Sequence, residues 1–96
     1  MTKPPKTSST PLRRRSDVRF RLIDREGVVL RQDAGETLVL NEVGARILDL
    51  LDGSNSLDDV VQALHDEYEA DLEAITSDVE AFASELLELG LVEQVS

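Results

Sequence analysis

The stretch ETLVLNEVGARILDLLDG, residues 36–53, decides the fold because its hydrophobic period changes at Asn41. Before Asn41, residues 37–40 read T-L-V-L, which predicts a short strand with two different faces. After it, apolar residues follow helical spacing to Leu51, and Asn41 is a good N-cap because its side chain accepts from free amides of the first turn. Asp52-Gly53 is expected to end the helix with a left-handed glycine. A strand therefore leads directly into a helix.

Two further strands are predicted before this one. Apolar residues at positions 18, 20 and 22 alternate with arginines, as in a half-buried strand, and residues 28–31 read V-V-L-R. Between them, Asp24–Gly27 predicts a turn in which Gly27 takes a positive φ. Short turns predict antiparallel pairing. The residues expected on the inward face of this sheet are Val18, Phe20, Leu22, Val28, Leu30, Leu38 and Leu40.

Two more helices are predicted after residue 53. Ser56 opens the second helix, and Ser56-x-x-Asp59 is similar to a capping box with Asp in place of Glu or Gln. The third helix is predicted over residues 72–89, capped by the following glycine, with Thr76-Ser77 as an alternative start. Residues 91–95 predict a short terminal strand. Three N-terminal antiparallel strands followed by three α-helices indicate an α+β domain.

Charge is distributed unevenly along the 96 residues. Residues 1–15 contain five basic residues and no acid, whereas residues 41–96 contain 15 acids and one base, Arg46. The first segment is rich in Pro, Ser, Thr and Lys and cannot offset its ordering entropy by burial. It predicts a disordered basic tail at residues 1–15, before a domain at residues 16–96. The anionic C-terminal half repels phosphates, so neither a nucleic-acid nor a membrane partner is expected.

The composition excludes most catalytic and metal chemistry. With no cysteine and a single histidine, His65, the chain has no thiolate site and no His-based metal site. Its carboxylates fall on polar faces of predicted helices, where water screens them and none is poised as a general acid. We therefore expect a protein that is not an enzyme and needs no cofactor or metal ion. It has no long apolar run and no signal-peptide core, which predicts a cytoplasmic protein.

Two other functions fit single features of the sequence. A hairpin with three helices suits a winged-helix DNA-binding regulator, and Arg13–Arg15 would contact the groove, but the third helix carries acids and no bases. Asn55-Ser56-Leu57 resembles the Asp-Ser-Leu of acyl carrier proteins, whose serine bears phosphopantetheine. Against this, Ser56 is explained as an N-cap, and the first 40 residues are predicted as strands. The DNA-binding regulator stays the main alternative, followed by an acyl-carrier-like use of Ser56.

Motifs spread over residues 17–95 resemble the PqqD family of small peptide chaperones. These are also known as recognition elements for precursors of ribosomally synthesised and post-translationally modified peptides (RiPPs). The matching motifs are E-G-V-V-L (26–30), E-T-L-V-L-N (36–41), G-A-R-I-L-D-L-L-D-G (44–53), S-L-D-D-V-V-Q-A-L (56–64) and S-D-V-E-A-F-A-S-E-L-L-E-L-G-L-V (77–92). The resemblance implies a winged-helix-like fold.

The same resemblance implies a non-catalytic module that binds the leader of a precursor peptide. In the family, the leader adds as a strand to the third strand, lies against the third helix, and is presented to a modifying enzyme, often a radical S-adenosylmethionine protein. The pathway, whether pyrroloquinoline quinone (PQQ), lasso peptide or another, stays open, and a monomer or weak dimer is expected. Acids on the third helix predict a leader with an apolar anchor flanked by Lys or Arg. The expected peptide-binding residues are Thr37, Leu38, Val39 and Leu40 on the strand and Asp78, Ala81, Phe82 and Glu85 on the helix.

Overall fold

The computed structural model of the protein describes residues 11–32 and 35–95, and its elements follow the predicted order except for an additional first strand. They are β1 (Leu12–Arg14), β2 (Val18–Ile23), β3 (Glu26–Arg31), β4 (Glu36–Leu40), α1 (Glu42–Leu50), α2 (Leu57–Glu67), α3 (Leu72–Glu88) and β5 (Val92–Gln94). The α+β class, with an antiparallel three-stranded sheet before three helices, is confirmed. Because β1 and β5 form a second small sheet, the likeness to a winged helix is approximate.

Strands β2, β3 and β4 form one antiparallel sheet in that order. Phe20 pairs with Val29, and Val29 pairs with Leu38, so these three side chains share the inward face. The prediction that Val28 and Leu30 face inward is wrong. Side chains alternate along a strand, and Val29, which is 1% exposed, takes the inward place on β3.

Gly27 lies on the inward face of β3 together with Val29, one residue away from the positions predicted to face inward. It lies inside β3, where an added Cβ would come within 2.8 Å of both the Ala45 Cβ and the Phe20 ring. The predicted use of Gly27 as the positive-φ residue of the turn is therefore wrong. That conformation belongs to Asp24, with φ of 57°, which an aspartate tolerates better than most residues. The glycine instead allows the sheet to approach α1 closely.

The predicted tail boundary at residue 15 is wrong, because residues 12–14 form a strand of the fold. β1 pairs antiparallel with β5, with Leu12 opposite Gln94. Leu12 is fully buried and belongs to the hydrophobic core. One apolar residue within a basic, Ser/Thr-rich segment gives a weak sequence signal, and its strand partner lies at the other end of the chain. Residues 1–10, the rest of the predicted tail, lie outside the described residues.

The arginines of β1 have partners of their own. Arg13 donates to the Glu93 carboxylate of β5 at 2.8 Å. Arg14 donates to the Leu48 carbonyl near the end of α1 at 2.8 Å, and its guanidinium lies 5.4 Å from the centre of the Phe20 ring. Cations are favourable at a helix C-terminus, where unpaired carbonyls concentrate negative charge. Arg13 and Arg14 therefore help to hold β1 against β5 and α1.

The N-termini of α1 and α2 follow the predicted capping chemistry. The Asn41 side chain accepts from the Gly44 amide at 2.8 Å, and Ser56 forms a capping box with Asp59. α3 begins at Leu72, so the alternative start at Thr76-Ser77 is wrong. Gly90 adopts the left-handed conformation after α3, with φ of 74°. Gly53 is also left-handed, with φ of 95°, but α1 ends at Leu50 with Leu51 as its cap, and the Gly53 amide donates to the Leu12 carbonyl of β1, so Gly53 does not cap α1 as predicted. No helix in the described residues is long and apolar enough to cross a membrane.

The helices supply most of the hydrophobic core, and β4 supplies none of its fully buried residues. From the three-stranded sheet, only Val18 and Val29 are buried hydrophobics. The rest of the buried cluster consists of Leu12, Ile47, Leu48, Leu51, Leu57, Val60, Val61, Leu64, Ile75, Val79, Ala83, Leu86, Leu91 and Val92. One edge of the sheet is thus left uncovered beside α3.

Candidate functional site

Strand β4 is the least covered part of the sheet. It pairs with β3 on one side and, in the part of the chain that the structure describes, with no strand on the other. None of its five residues is buried, and Val39 and Leu38 are 65% and 37% exposed. Such an edge presents backbone N–H and C=O groups that can pair with another chain.

The hydrogen-bond pattern fixes which backbone groups point outward. Gln32 donates its backbone N–H to the Asp17 carbonyl at 3.0 Å. In an antiparallel ladder, hydrogen-bonded and non-bonded pairs alternate, so the even-numbered residues of β3 bond to β2 and the odd-numbered ones bond to β4. Their partners on β4 are its even-numbered residues. Thr37 and Val39 therefore direct their N–H and C=O groups to the free edge.

A cavity of about 280 Å³ lies between the sheet and the end of α3. Val29 and Leu38 line it from the sheet, and Leu89 and Leu91 line it from the chain after α3. Leu89 is 49% exposed although it is apolar, while Leu91 is buried in the core. The cavity therefore combines a fixed apolar base with an accessible apolar side chain.

The polar end of this cavity is formed by a cross-strand ion pair. The Arg31 guanidinium lies 3.5 Å from the Glu36 carboxylate, and both residues line the cavity. Arg31 also lies directly against Gly90, where an added Cβ would collide with its guanidinium. The left-handed turn at Gly90 thus brings the end of α3 against β3, and the Glu36 carboxylate remains accessible beside the cavity.

A strip of α3 residues runs past the space beside β4, and two of its members, Phe82 and Leu89, lie close to that strand. Positions 78, 82, 85 and 89 recur at helical spacing, next to the buried stripe of α3. The Phe82 ring tip lies 3.3 Å from the place of a Cβ on Gly44, and the Leu40 side chain lies beside the same point. Leu40 is thus near Phe82, and Leu38 lies across the cavity from Leu89. We name the space between these two elements the β4–α3 groove.

The predicted residues of β4 contribute to this groove in two ways. Leu38 and Leu40 point their side chains toward the helices. Thr37 and Val39 contribute outward backbone groups, while their side chains lie on the opposite face of the sheet, across from Leu30 and Val28. The four-residue segment is therefore a strand edge whose alternate residues serve different purposes.

The predicted residues of α3 are placed less uniformly. Phe82 lies in the β4–α3 groove, and the exposed Glu85 follows it on the same strip. Asp78 lies one turn before Phe82, where it lines a separate cavity with α1 and α2. Ala81 is exposed and lies further round the helix, toward the side opposite the buried stripe.

Three residues of the candidate site are not among those predicted from the sequence. Leu89 ends the predicted third helix, but it is 49% exposed in the groove, where the chain turns at Gly90. Arg31 ends the predicted second strand, and Glu36 immediately precedes the predicted third one. Their opposite charges on either side of a hairpin turn were a usable signal for a cross-strand pair.

Two other candidate residues have ordinary structural places. The Ser56 hydroxyl accepts from the Asp59 amide as a helix cap, and His65 is exposed near the end of α2. Within residues 11–32 and 35–95, no three side chains of the metal-ligating type come together. α3, the helix that would enter a DNA groove, has five acids and no base.

A polar cluster joins α1 to the end of α2. Arg46 donates to the Glu67 carboxylate through two nitrogens, at 2.9 and 2.6 Å, and to Asp49 at 3.0 Å. The hydrogen bond from Arg46 lowers the pKa of Glu67, and the pKa of Arg46 is raised by the same bond. Tyr68, which donates to Glu42 at 3.3 Å, has a pKa raised by partial burial and by that carboxylate. The cluster holds α1 against the end of α2.

Three solved structures resemble the chain over most of its length. TbiB1 in complex with the TbiA(beta) leader peptide has a TM-score of 0.79 at 28% identity, covering 88% of this chain and 98% of the other. Lasso peptide synthetase B1 complexed with the leader peptide has a TM-score of 0.77 at 30% identity, covering 86% and 98%. The PqqD truncation of Methylobacterium extorquens PqqCD, a functional and stand-alone RiPP recognition element, has a TM-score of 0.73 at 26% identity, covering 92% and 93%.

Sequence comparison gives the family directly. No curated protein sequence matches the chain. The family model of coenzyme PQQ synthesis protein D matches residues 26–92, which span β3 to the start of β5 and include both sides of the β4–α3 groove. The chain therefore belongs to the PqqD family.

Proposed function

We propose that the protein binds the leader segment of a ribosomally made precursor peptide and presents it to a modifying enzyme. The observation that carries this proposal is the free edge of β4 beside the β4–α3 groove. Two structural relatives, TbiB1 and lasso peptide synthetase B1, were determined with leader peptides bound. Their likeness to this chain supports the same class of ligand here.

The leader adds to the sheet as a fourth strand next to β4. The outward N–H and C=O groups of Thr37 and Val39 supply its backbone hydrogen bonds, which are independent of the leader's side chains. Because side chains alternate along a strand, every second leader residue points into the β4–α3 groove. Backbone pairing provides part of the affinity, and the groove selects the sequence.

The groove favours a leader that is apolar with basic neighbours. An apolar side chain fits the cavity between Leu38 and Leu89, where it removes accessible apolar surface from water. Glu36 lines this cavity, and Glu85 lies one helical turn before Leu89, without an ion-pair partner among the described residues. Lys or Arg beside the apolar anchor complements these carboxylates, chiefly raising the association rate and the selectivity.

The protein itself acts without catalysis in this proposal. The chemistry belongs to the modifying enzyme, which we propose to be a radical S-adenosylmethionine protein or another peptide maturase. The M. extorquens relative, in which the PqqD part of PqqCD functions alone as a recognition element, supports a separate recognition role. The precursor and the enzyme are then brought together through this domain.

The decisive experiment is an NMR titration of the labelled domain with a synthetic leader from the precursor gene next to its coding gene. We expect the largest shift changes at residues 36–41 and 78–91, and small ones at 57–63. Val39→Pro removes one outward amide and leaves a leader carbonyl unpaired, so we expect affinity to fall about a hundredfold or more. Normal binding by this variant would exclude strand addition at β4.

Leu22→Pro is the matched control for this experiment. Leu22 is exposed on β2, at the opposite edge of the same sheet, and by the same alternation its amide also points outward. The substitution introduces the same ring and the same loss of an N–H, but it lies away from the β4–α3 groove. We expect the leader to bind Leu22→Pro within about twofold of the unaltered protein, and an equal loss in both variants would indicate general damage to the sheet.

A further inference from the structure

A second cavity, of about 340 Å³, opens between the three helices. Its apolar lining comes from Val43 and Ile47 of α1, Leu64 of α2, and Ile75 and Val79 of α3. Val43 is 42% exposed, although Ile47, Leu64 and Val79 are buried. We name this cavity the helical pocket. It has an accessible apolar side and a base that belongs to the hydrophobic core.

The rim of the helical pocket is polar and anionic. Tyr68, Glu69 and Asp78 line it, and Ala70 completes the rim on the link between α2 and α3. Neither Glu69 nor Asp78 has a basic side chain within ion-pair distance among the described residues, whose ion pairs involve other acids. An apolar cavity with unpaired carboxylates at its mouth suits a ligand with an apolar body and a cationic group.

The helical pocket continues the β4–α3 groove past the end of β4. Val43 is the neighbour of Gly44, which Phe82 touches, and Asp78 lies one helical turn before Phe82. Asp78 and Leu89, which mark the two cavities on α3, are 11 residues apart, or about 16 Å along the helix axis. An extended peptide covers that distance in about five residues.

We propose that the helical pocket binds a second anchor of the same leader peptide, an apolar side chain next to a Lys or Arg, on the segment that continues beyond Leu40. The proposal rests on the proposed function for its ligand, but the pocket's preference for an apolar cation is independent of it. The two anchors are separated by four to six residues. A leader that fills only the cavity between Leu38 and Leu89 leaves the helical pocket empty and binds more weakly.

The first test uses phenethylamine and 3-phenylpropionate as probes of opposite charge and similar apolar size. In NMR titrations, phenethylamine is expected to shift residues 43–47, 68–70 and 75–79 and to bind about fivefold more tightly than the acid, an effect typical of an exposed charge pair. Asp78→Asn should reduce this difference. Equal binding of the two probes, or shifts elsewhere, would overturn the assignment.

Two variants separate the pocket from general effects on stability. Val43→Gln makes the accessible side of the pocket polar, and phenethylamine binding should fall at least threefold. Leu72→Gln is the matched control, because Leu72 is also 42% exposed but does not line the pocket. It should bind phenethylamine normally, as should Val39→Pro, because the probe makes no strand. A loss in all three variants would contradict a specific pocket.

The second test selects peptides from a displayed library of random 14-residue sequences. Selection on the unaltered protein should enrich two apolar positions four to six residues apart, one of them next to Lys or Arg. Selection on Val43→Gln should keep one position and lose the other, and selection on Val39→Pro should enrich neither. A single anchor on the unaltered protein overturns the second-anchor proposal alone. Enrichment unaffected by Val39→Pro overturns strand addition, and with it the proposed function.

Discussion

The two sheets of the molecule use the same backbone chemistry for opposite purposes. In the β1–β5 sheet, Leu12 and Val92 are almost fully buried, and the arginines of β1 are paired with β5 and α1. In the larger sheet, β4 has no buried residue, and its outer edge has no strand partner among the described residues. One sheet closes the fold by joining the two ends of the domain, and the other offers an edge to a ligand.

The difference follows from where each strand places its apolar side chains. Leu12 belongs to the buried core, so separating β1 from β5 would expose its side chain to water and lose the free energy gained by burying it. Leu38 and Leu89, in contrast, are partly exposed in the free protein, and binding a ligand would bury them further. Stability and recognition are therefore expected to respond to different residues, which the following substitutions test.

The largest expected effect is on stability, from the closing sheet. Leu12→Ala removes a fully buried side chain from the core, so we expect a loss of about 2–5 kcal/mol in the free energy of unfolding. Urea unfolding at 25 °C measures it. At a temperature where the variant is still folded, leader affinity should stay within about twofold, because Leu12 does not line the β4–α3 groove. A large loss of affinity in folded Leu12→Ala protein would mean that the two sheets are coupled.

The open edge should show the converse behaviour. Leu38→Ala removes a side chain that is 37% exposed and lines the groove cavity, so the free energy of unfolding should fall by no more than about 1 kcal/mol. Leader affinity should fall about tenfold, since the anchor loses one side of its site. Isothermal titration calorimetry and urea unfolding on the same preparation compare the two quantities. Leu30→Ala, whose side chain is 39% exposed on the opposite face of the neighbouring strand and does not line the cavity, serves as the control and should bind within about threefold.

The parts of the fold that are predictable from the sequence are those that local chemistry decides. The caps at Asn41 and Ser56 and the left-handed Gly90 follow from residue types at fixed offsets, whereas α3 begins after Asp71 without a side-chain cap. The residues of β3 that face inward could not be predicted in this way, because a glycine such as Gly27 is compatible with either a turn or a close approach between two elements. Only the packing of Ala45 against Gly27 decides between them.

The features that could not be predicted from the sequence depend on contacts between residues that are far apart in the chain. β1 is held by β5, whose residues lie about 80 positions away, and by a carbonyl of α1. The groove was anticipated through the family resemblance and through Leu38, Leu40 and Phe82. The helical pocket was not, because its lining comes from three helices and the link between two of them. A periodic pattern shows which residues are apolar, but not which of them remain accessible once the helices pack.

The smallest expected effect concerns the ion pair that joins α1 to α2 beside the helical pocket. Because its pKa is lowered by Arg46, Glu67 binds protons less readily in the folded protein than in the unfolded chain, where its ordinary value is 4.5. The contribution of Glu67 to the free energy of unfolding is therefore fully present above about pH 4.5 and is lost as the pH falls through the lower folded pKa.

Glu67→Gln should lower the free energy of unfolding at pH 7 by only about 0.2–1 kcal/mol, since both side chains are more than a third exposed. Urea unfolding at a series of pH values from 7 downward should show the difference between the two proteins narrowing below about pH 4.5. Glu69→Gln, two residues away and without an ion pair among the described residues, should show no such pH-dependent difference. A difference for Glu67→Gln that does not narrow below about pH 4.5 would instead point to lost packing, and the stabilisation would not be electrostatic.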